Sequence, residues 1–212
     1  MPVTGEIMRV EFVSELVGTF FMVFIGCMAI KQELGGPIIS LAFGGAVCLV
    51  IMASRKYSGA HINPAVSIAF SLTGELEKRL LPAYLTAQLI GGLLAGLLVG
   101  NSGATDFATS MDLGITIEII ITFTLMLSIY LTIWHTDNDY IVGIVVGLVV
   151  AVLAFFFGPY TGASMNPART LGPNIASGLI EVIPIYFAAT IIGAVVAAGL
   201  RHKLGNPPVQ SQ

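Results

Sequence analysis

Apolar residues along the chain gather into six long stretches that short polar segments separate. They lie at about 10–31, 37–54, 80–100, 112–134, 140–158 and 181–201. A helix needs about 20 apolar residues to cross the hydrocarbon core of a bilayer. Two further apolar pieces, at about 64–73 and 167–178, are too short to span, and each begins with a proline. The pattern therefore predicts an all-α membrane protein with six transmembrane helices and two re-entrant half-helices.

Composition supports a lipid-facing surface. The chain has 212 residues, of which 56% are hydrophobic and 10% charged, whereas soluble domains carry about 25% charged residues. The net charge of −3 and the scattered basic residues argue against a nucleic-acid partner. Cys27 and Cys48 lie inside apolar stretches and are interpreted as packing residues. We expect no cofactor and no metal site.

The two halves of the sequence repeat each other with a shift of 103 positions. Glu15 then falls on Glu118, and Asn63 falls on Asn166; Thr19 with Thr122 and Gly44 with Gly147 follow the same shift. The repeats cover about 8–102 and 111–203, and each holds three spans and one short helix. Because three is odd, the second repeat must enter the membrane from the opposite side, as an inverted repeat.

Each short helix opens with the same triplet, Asn63-Pro64-Ala65 in the first half and Asn166-Pro167-Ala168 in the second. Asn is a strong N-cap, Pro suits the first helical position, and Ala favours the helix. Two such half-helices would meet with their positive N-terminal ends near the midplane. If each Asn oxygen caps its own helix, each amide nitrogen remains a donor, and a water between them accepts two hydrogen bonds. Such an arrangement interrupts a proton-conducting chain of waters and repels cations.

With its full second motif, Asn166-Pro167-Ala168-Arg169-Thr170, the chain resembles the aquaporin (major intrinsic protein) family over about residues 8–203. The resemblance implies a single channel domain over 1–212, with six helices and two half-helices around one pore per subunit. It also implies a homotetramer in a lipid bilayer. The implied function is passive conduction of water and neutral solutes without enzymatic activity.

The resemblance also implies a selectivity filter. Arg169 breaks the repeat, since its counterpart is Val66. In similar proteins this Arg forms a constriction with three positions that here hold Phe43, Ala154 and Ala163. Water-selective members typically have His in the place of Ala154. The two alanines therefore predict a wider, less polar filter that also passes ammonia, urea and small polyols.

Other positions bear on the choice of solute. Thr170 and the pair Tyr186-Phe187 favour water over glycerol by the family's pattern, whereas Asn174 fits neither solute class. A glycerol-type facilitator and an ion-coupled secondary transporter stay as alternatives. A membrane enzyme is not favoured, because His61, His135 and His202 are scattered and no nucleophile–base set appears.

Three further groups of residues are candidates for the pore. Glu15 and Glu118 lie inside apolar helices, where an acid either relays protons or braces the backbone N–H groups of a re-entrant loop; their symmetry favours bracing. His61 is expected near the inner mouth, as a fixed pore-lining group or as a pH sensor. The acceptor ladder for water is predicted to be the backbone carbonyls of Ala60, His61, Ile62, Gly162, Ala163 and Ser164.

Basic residues predict the orientation in the membrane. One side collects Arg9, Arg55, Lys56, Lys78, Arg79, Arg201 and Lys203, and the other side carries only Lys31. Cytoplasmic loops are enriched in Lys and Arg. We therefore expect an integral protein of the plasma (inner) membrane with both termini in the cytoplasm.

Overall fold

A computed structural model describes residues 5–204 of the chain. Within this range every regular element is a helix: α1 (Gly5–Lys31), α2 (Gly36–Ser58), α3 (Pro64–Thr73), α4 (Leu81–Val99), α5 (Met111–His135), α6 (Asp139–Thr161), α7 (Pro167–Ser177) and α8 (Ile183–Leu204). Six of these helices are long and apolar enough to cross a membrane, and α3 and α7 are the short ones. The predicted all-α membrane fold is confirmed. Part of each predicted cytoplasmic terminus lies outside the described residues.

Two long helices run further than the apolar pattern predicted. Helix α6, predicted to stop at 158 before Pro159, continues to Thr161, and α2 continues from 54 to Ser58. In both, the helix ends where the next glycine adopts the left-handed conformation. The N–H of Gly162 donates to the carbonyl of Gly158 at 2.8 Å, and Gly59 closes α2 in the same way. Apolarity marks the part of a helix inside lipid, whereas the C-cap marks its end.

The two halves pack in the same manner and meet through α2 and α6. Helix α1 packs on α2 and α4, and α5 packs on α6 and α8. At the α2–α6 crossing, a Cβ atom on Gly44 would lie 2.3 Å from the carbonyl oxygen of Gly147, and one on Gly147 would lie 2.5 Å from that of Gly44. No side chain fits at either position. The contact is symmetric, as a two-fold relation between the halves requires.

The repeat changes register after the short helices. A Cβ on Gly91 of α4 would lie 2.4 Å from the carbonyl oxygen of Leu16, and one on Gly193 of α8 would lie 2.4 Å from that of Ile119. Ile119 follows Leu16 by 103 positions, whereas Gly193 follows Gly91 by 102. Helix α7 is one residue longer than α3, and its connection to α8 is two residues shorter than the α3–α4 connection, which gives a net shift of one. The 103-residue shift holds only as far as the short helices.

Glycines also fix the second short helix against the opposite half. Helix α7 packs on α4, and α3 packs on α8. A Cβ on Gly172 of α7 would lie 2.0 Å from the carbonyl oxygen of Gly92, and one on Gly96 would lie 2.1 Å from the carbonyl carbon of Gly172. Small residues at such crossings let helix backbones approach closely in a membrane. The contact places the N-terminus of α7.

Candidate functional site

Both short helices begin at a capped asparagine. Asn63 and Asn166 are extended, with φ of −156° and −157°, and each precedes the proline that starts its helix. The Asn63 side-chain oxygen accepts from the N–H of Ala65 at 2.9 Å. The Asn166 oxygen accepts from Ala168 at 2.9 Å and from Arg169 at 3.4 Å. Each oxygen is thus directed into its own helix.

The amide nitrogens of the two asparagines tie the halves together. Asn63 Nδ2 donates to the carbonyl of Met165, and Asn166 Nδ2 donates to the carbonyl of Ile62, both at 2.8 Å. An amide nitrogen carries two N–H groups, so one remains on each asparagine. Sequence reasoning treated the amide nitrogens as free donors and missed Met165, although Met165 is the counterpart of Ile62. The Ile62 carbonyl, predicted as an acceptor for water, accepts from Asn166 with one of its two lone pairs.

The loops that precede the short helices have left-handed backbone at equivalent positions. These are Gly59 (φ 80°), Ala60 (φ 50°) and Ile62 (φ 45°) in the first half, and Gly162 (φ 72°), Ala163 (φ 42°) and Met165 (φ 53°) in the second. This conformation costs about 1–2 kcal/mol for each residue that has a Cβ. The loops keep it only because neighbouring groups hold the backbone.

Glu15 holds the first loop. Its side chain is fully buried and accepts from the backbone N–H of His61 at 2.9 Å and of Ile62 at 2.6 Å. The hydroxyl of Ser58 donates to the same carboxylate at 2.7 Å, and the Gln88 amide donates at 2.7 Å. All of the donors around this buried carboxylate come from the loop or from an adjacent helix.

Glu118 holds the second loop in the same way. Its fully buried carboxylate accepts from the N–H of Ser164 at 2.8 Å and of Met165 at 3.0 Å, and from the Thr161 hydroxyl at 2.7 Å. A counterpart of Gln88 is missing, because the shortened connection places Thr190 there, and its hydroxyl donates to the carbonyl of Tyr186 at 2.7 Å. The two acids thus have equivalent backbone and hydroxyl partners, and Glu15 differs in that it also accepts from a side-chain amide.

A long cavity runs through the middle of the molecule. Its volume is about 290 Å³, and one face of α2 lines it from Phe43 through Val47 and Ile51 to Arg55. The twelve residue steps of helix from Phe43 to Arg55 correspond to a length of about 18 Å. Asn63 and Asn166 line the same cavity. The capped ends of both short helices are therefore at its wall.

A second cavity, which we call the vestibule, lies beyond the Phe43 end of the long cavity. It has a volume of about 490 Å³. Among the described residues, the walls of the two cavities share four members: Phe43, Ala154, Ala163 and Arg169. These four side chains form the boundary between the two spaces, so a solute that moves from one to the other must pass them. They are the four positions that the family resemblance singled out.

Arg169 is fixed at this boundary by two contacts. It is only 3% exposed, and its Nη1 donates to the carbonyl of Gly103 at 2.5 Å. Its guanidinium carbon lies 4.7 Å from the centre of the Phe43 ring, within the range of a cation–π contact. A guanidinium has five N–H groups, so donors remain after the Gly103 contact.

The segment that carries Gly103 is itself attached to α7. The Asn174 side chain accepts from the N–H of Thr105 at 2.9 Å and donates to its carbonyl at 2.8 Å. The hydroxyls of Thr105 and Thr170 lie 3.1 Å apart. Gly103 and Thr105 were not among the residues that the sequence pattern singled out. Gly103 uses its backbone carbonyl, which every residue type has, so no sequence pattern marks it.

The four equivalent positions in the other repeat carry no polar side chain. The counterparts of Phe43, Ala154, Ala163 and Arg169 are Val146, Ile51, Ala60 and Val66. All of these counterparts are aliphatic, and all line the long cavity. The repeat therefore supplies equivalent wall positions, and Arg169 is the one charged residue among these eight.

The remaining predicted wall residues divide between the two cavities. Ala60, His61, Ile62 and Ser164 line the long cavity, and Gly162 lines the vestibule. His61 is 8% exposed, its Nδ1 lies 3.0 Å from the Ser67 hydroxyl, and its ring lies 4.7 Å from that of Phe70. These contacts favour the fixed-group interpretation of His61.

Three comparisons with known proteins agree. Residues 5–201 match the family model described as Major intrinsic protein. Aquaporin NIP1-3 of Oryza sativa subsp. japonica is 39% identical over 203 residues, which cover 89% of this chain and 71% of that protein. Nodulin-26 of Glycine max is 36% identical over 203 residues, which cover 89% of this chain and 75% of that protein.

A solved structure extends the similarity to three dimensions. The X-ray structure of the aquaglyceroporin from Plasmodium falciparum superimposes with a TM-score of 0.82 at 27% identity, and covers 93% of this chain and 96% of that one. The family model, the relatives and the shared fold confirm the resemblance that the paired motifs indicated. The chain belongs to the major intrinsic protein family and is an aquaporin-type membrane channel for water and small solutes.

Proposed function

We propose that this channel conducts water and also passes small neutral solutes, namely ammonia, urea and small polyols, while it excludes protons and ions. The observation that carries the proposal is the composition of the boundary between the long cavity and the vestibule. Of its four side chains, Ala154 and Ala163 are single methyl groups, Phe43 is an apolar ring, and Arg169 is the one polar group.

This composition suits a neutral solute with one polar and one apolar face. The free N–H groups of Arg169 and the backbone of the loops replace hydrogen bonds that a solute loses when it leaves bulk water. Phe43 and the two alanines offer no hydrogen bond, and the alanines leave room. A larger residue in the place of Ala154 would narrow the same passage. Size at the boundary then decides which neutral solutes pass.

Exclusion of protons follows from the two asparagines. Each keeps one N–H after the contact with the opposite loop, and each stands at the positive end of a short helix. A water that accepts from both asparagines has its hydrogens turned away from the midplane. This orientation interrupts proton transfer along the chain of waters in the pore. Arg169 adds a full positive charge against cations.

Passive conduction is favoured over ion coupling. A coupled transporter needs acids that change protonation or partners during transport. Glu15 and Glu118 are fully buried, and both carboxylates accept from the backbone of the loops. We assign them to loop bracing. Neither of them lines the long cavity or the vestibule.

A glycerol-type facilitator is the second candidate. It is favoured by the similarity to the aquaglyceroporin from Plasmodium falciparum, at a TM-score of 0.82. Thr170 and Tyr186 favour water as the main solute instead, because they match the pattern of water channels in the family. The two candidates differ in whether water or glycerol has the higher permeability.

We further propose a homotetramer in the plasma (inner) membrane with both termini in the cytoplasm. Large apolar side chains on the outside, among them Phe21, Leu41, Leu49 and Phe156, are 48%, 64%, 64% and 61% exposed. They suit contact with lipid or with further copies. The long cavity lies within a single chain, so each copy would hold its own pore.

The test is flux through proteoliposomes that contain the purified protein. Stopped-flow light scattering gives the permeability to water, urea and glycerol, and a pH-sensitive dye inside the vesicles reports ammonia and protons. We expect water permeability well above that of empty vesicles, measurable flux of at least one of the other solutes, and proton flux at the empty-vesicle level. Conduction of water alone would contradict the proposal, and glycerol flux above water flux would favour the second candidate.

A further inference from the structure

We propose that Gly26 of α1 sets the width of the selectivity filter by fixing the position of the Phe43 ring. The inference rests on the proposed filter and assigns it a further determinant. A Cβ atom on Gly26 would lie 2.1, 2.3 and 2.4 Å from Cε1, Cδ1 and Cζ of Phe43. Real Cβ atoms essentially never come within 3.0 Å of another heavy atom. The ring therefore occupies the space that any side chain at position 26 would need.

The Phe43 ring has little freedom to absorb a change. It is 7% exposed, and the Arg169 guanidinium carbon lies 4.7 Å from the ring centre. The ring also lines both the long cavity and the vestibule. Displacement of the ring away from α1 therefore moves it toward the space between the two cavities or against Arg169. Both movements change the filter.

Helix α1 is also held close to the filter. The residue after Gly26 is Cys27, which is fully buried, with its Sγ atom 3.9 Å from the carbonyl oxygen of Gly103. That carbonyl accepts from Arg169. An outward movement of α1 to make room at position 26 would draw Cys27 away from Gly103 and disturb the partner of Arg169. One turn of α1 thus lies against Phe43 and is linked to Arg169 through the carbonyl of Gly103.

The repeat indicates that Gly26 is specific to this end of the pore. Its counterpart is Ile129, and the counterpart of Phe43 is Val146. Both belong to one apolar cluster and line the long cavity. In the first half, a large ring thus packs against a position that has no side chain. In the second half, both equivalent positions have aliphatic side chains. Gly44 differs, because its counterpart Gly147 is also a glycine and serves a backbone crossing.

The consequence is that a methyl group at position 26 narrows the passage. The largest solute that the wild-type protein conducts should be affected most, since its clearance at the boundary is smallest. A change of one methylene group in a binding site alters the discrimination between two substrates by about tenfold or more. Water is smaller than urea and glycerol, so the permeability to water should fall less.

The experiment compares Gly26→Ala with Gly45→Ala in proteoliposomes. Gly45 lies on α2, is exposed, and has no atom within 4 Å of a built Cβ, so it controls for a Gly-to-Ala change in a membrane helix. For Gly26→Ala we expect the ratio of glycerol or urea permeability to water permeability to fall about tenfold. For Gly45→Ala we expect the wild-type ratio. Equal ratios in the two variants would overturn the inference.

A second comparison in the Phe43→Ala background tests whether the effect acts through the ring. There, Gly26→Ala should leave the solute-to-water ratio unchanged, because no ring occupies the space. A further fall in the ratio would overturn the inference. If Gly26→Ala alone does not fold, the double variant should fold, and its failure to fold would also contradict us.

Flux through the wild-type protein distinguishes a failure of this inference from a failure of the proposed function. If the wild type conducts water alone, the proposed solute range is wrong. The water permeability of Gly26→Ala, relative to Gly45→Ala, then still reports on the filter: a lower value supports the role of Gly26, and an equal value overturns it.

Discussion

The side-chain amide of Asn166 donates a hydrogen bond of 2.8 Å to the backbone carbonyl of Ile62, in the loop of the other half. The reciprocal bond from Asn63 to Met165 has the same length. Each asparagine therefore caps its own helix, links the two halves, and keeps one N–H at the wall of the long cavity. Comparison with an asparagine that only caps a helix separates the capping role from the other two.

Replacement of Asn166 by Ala should raise the proton flux and lower the stability. The change removes the cap of α7, the bond to Ile62 and one of the two donors at the midplane. Loss of an N-cap costs about 1 kcal/mol, and loss of a typical hydrogen bond a further 0.5–1.5 kcal/mol, roughly. The measurement is proton flux with a pH-sensitive dye in vesicles, together with thermal unfolding.

The matched control is Asn138→Ala. Asn138 caps α6, where its side-chain oxygen accepts from Tyr140 at 2.9 Å and from Ile141 at 3.2 Å, and it is exposed. It should lose about the same capping energy without any proton flux. Equal proton flux in the two variants would show that helix stability, and not the midplane donor, excludes protons.

Replacement of Glu118 by Gln should weaken the fold without changing the driving force of transport. The amide keeps one acceptor oxygen, and its NH₂ group would face a backbone N–H that now has no acceptor. A buried polar group left unsatisfied costs about 1–3 kcal/mol. We expect a lower unfolding temperature in detergent and lower water flux, with Glu181→Gln unchanged, because Glu181 is exposed. A stable variant whose solute flux has lost dependence on an ion gradient would support the coupled transporter instead.

Replacement of Asn174 by Asp should loosen the attachment to α7 of the segment that carries Gly103. A carboxylate still accepts from the N–H of Thr105, but it cannot donate to the Thr105 carbonyl as Asn174 does at 2.8 Å. The carbonyl of Gly103 then holds Arg169 less firmly. We expect a changed ratio of urea to water permeability. Asn101→Asp adds the same charge at an exposed position of the segment and should leave this ratio unchanged.

Replacement of Gly44 by Ala should destabilise the contact between the halves. The added Cβ would lie 2.3 Å from the carbonyl oxygen of Gly147, so α2 and α6 must separate. Overpacking of this kind costs about 1–3 kcal/mol. Thermal unfolding in detergent should show the loss for Gly44→Ala and none for Gly45→Ala, whose Cβ would meet no atom within 4 Å. Equal unfolding temperatures of the two variants would show that the close approach at Gly44 does not stabilise the contact between α2 and α6.

Much of the architecture was predictable because it depends on side-chain type. Apolar length located the six long helices, and the Asn-Pro-Ala triplets located the starts of α3 and α7 at Pro64 and Pro167. The parts that sequence reasoning missed depend on backbone groups. Met165 and Gly103 act through carbonyls that every residue has. The end of α6 beyond Pro159 depends on the conformation of Gly162 rather than on apolarity.

The most direct test of the central claim is to replace Ala154, one of the two alanines at the boundary between the cavities, by His. Ala154→Ser is the matched control, because it adds a polar atom with little volume. We predict that Ala154→His lowers urea and glycerol permeability about tenfold or more and keeps most of the water permeability, and that Ala154→Ser does not show this loss. Equal loss of water, urea and glycerol in Ala154→His, or no loss of any, would contradict the account.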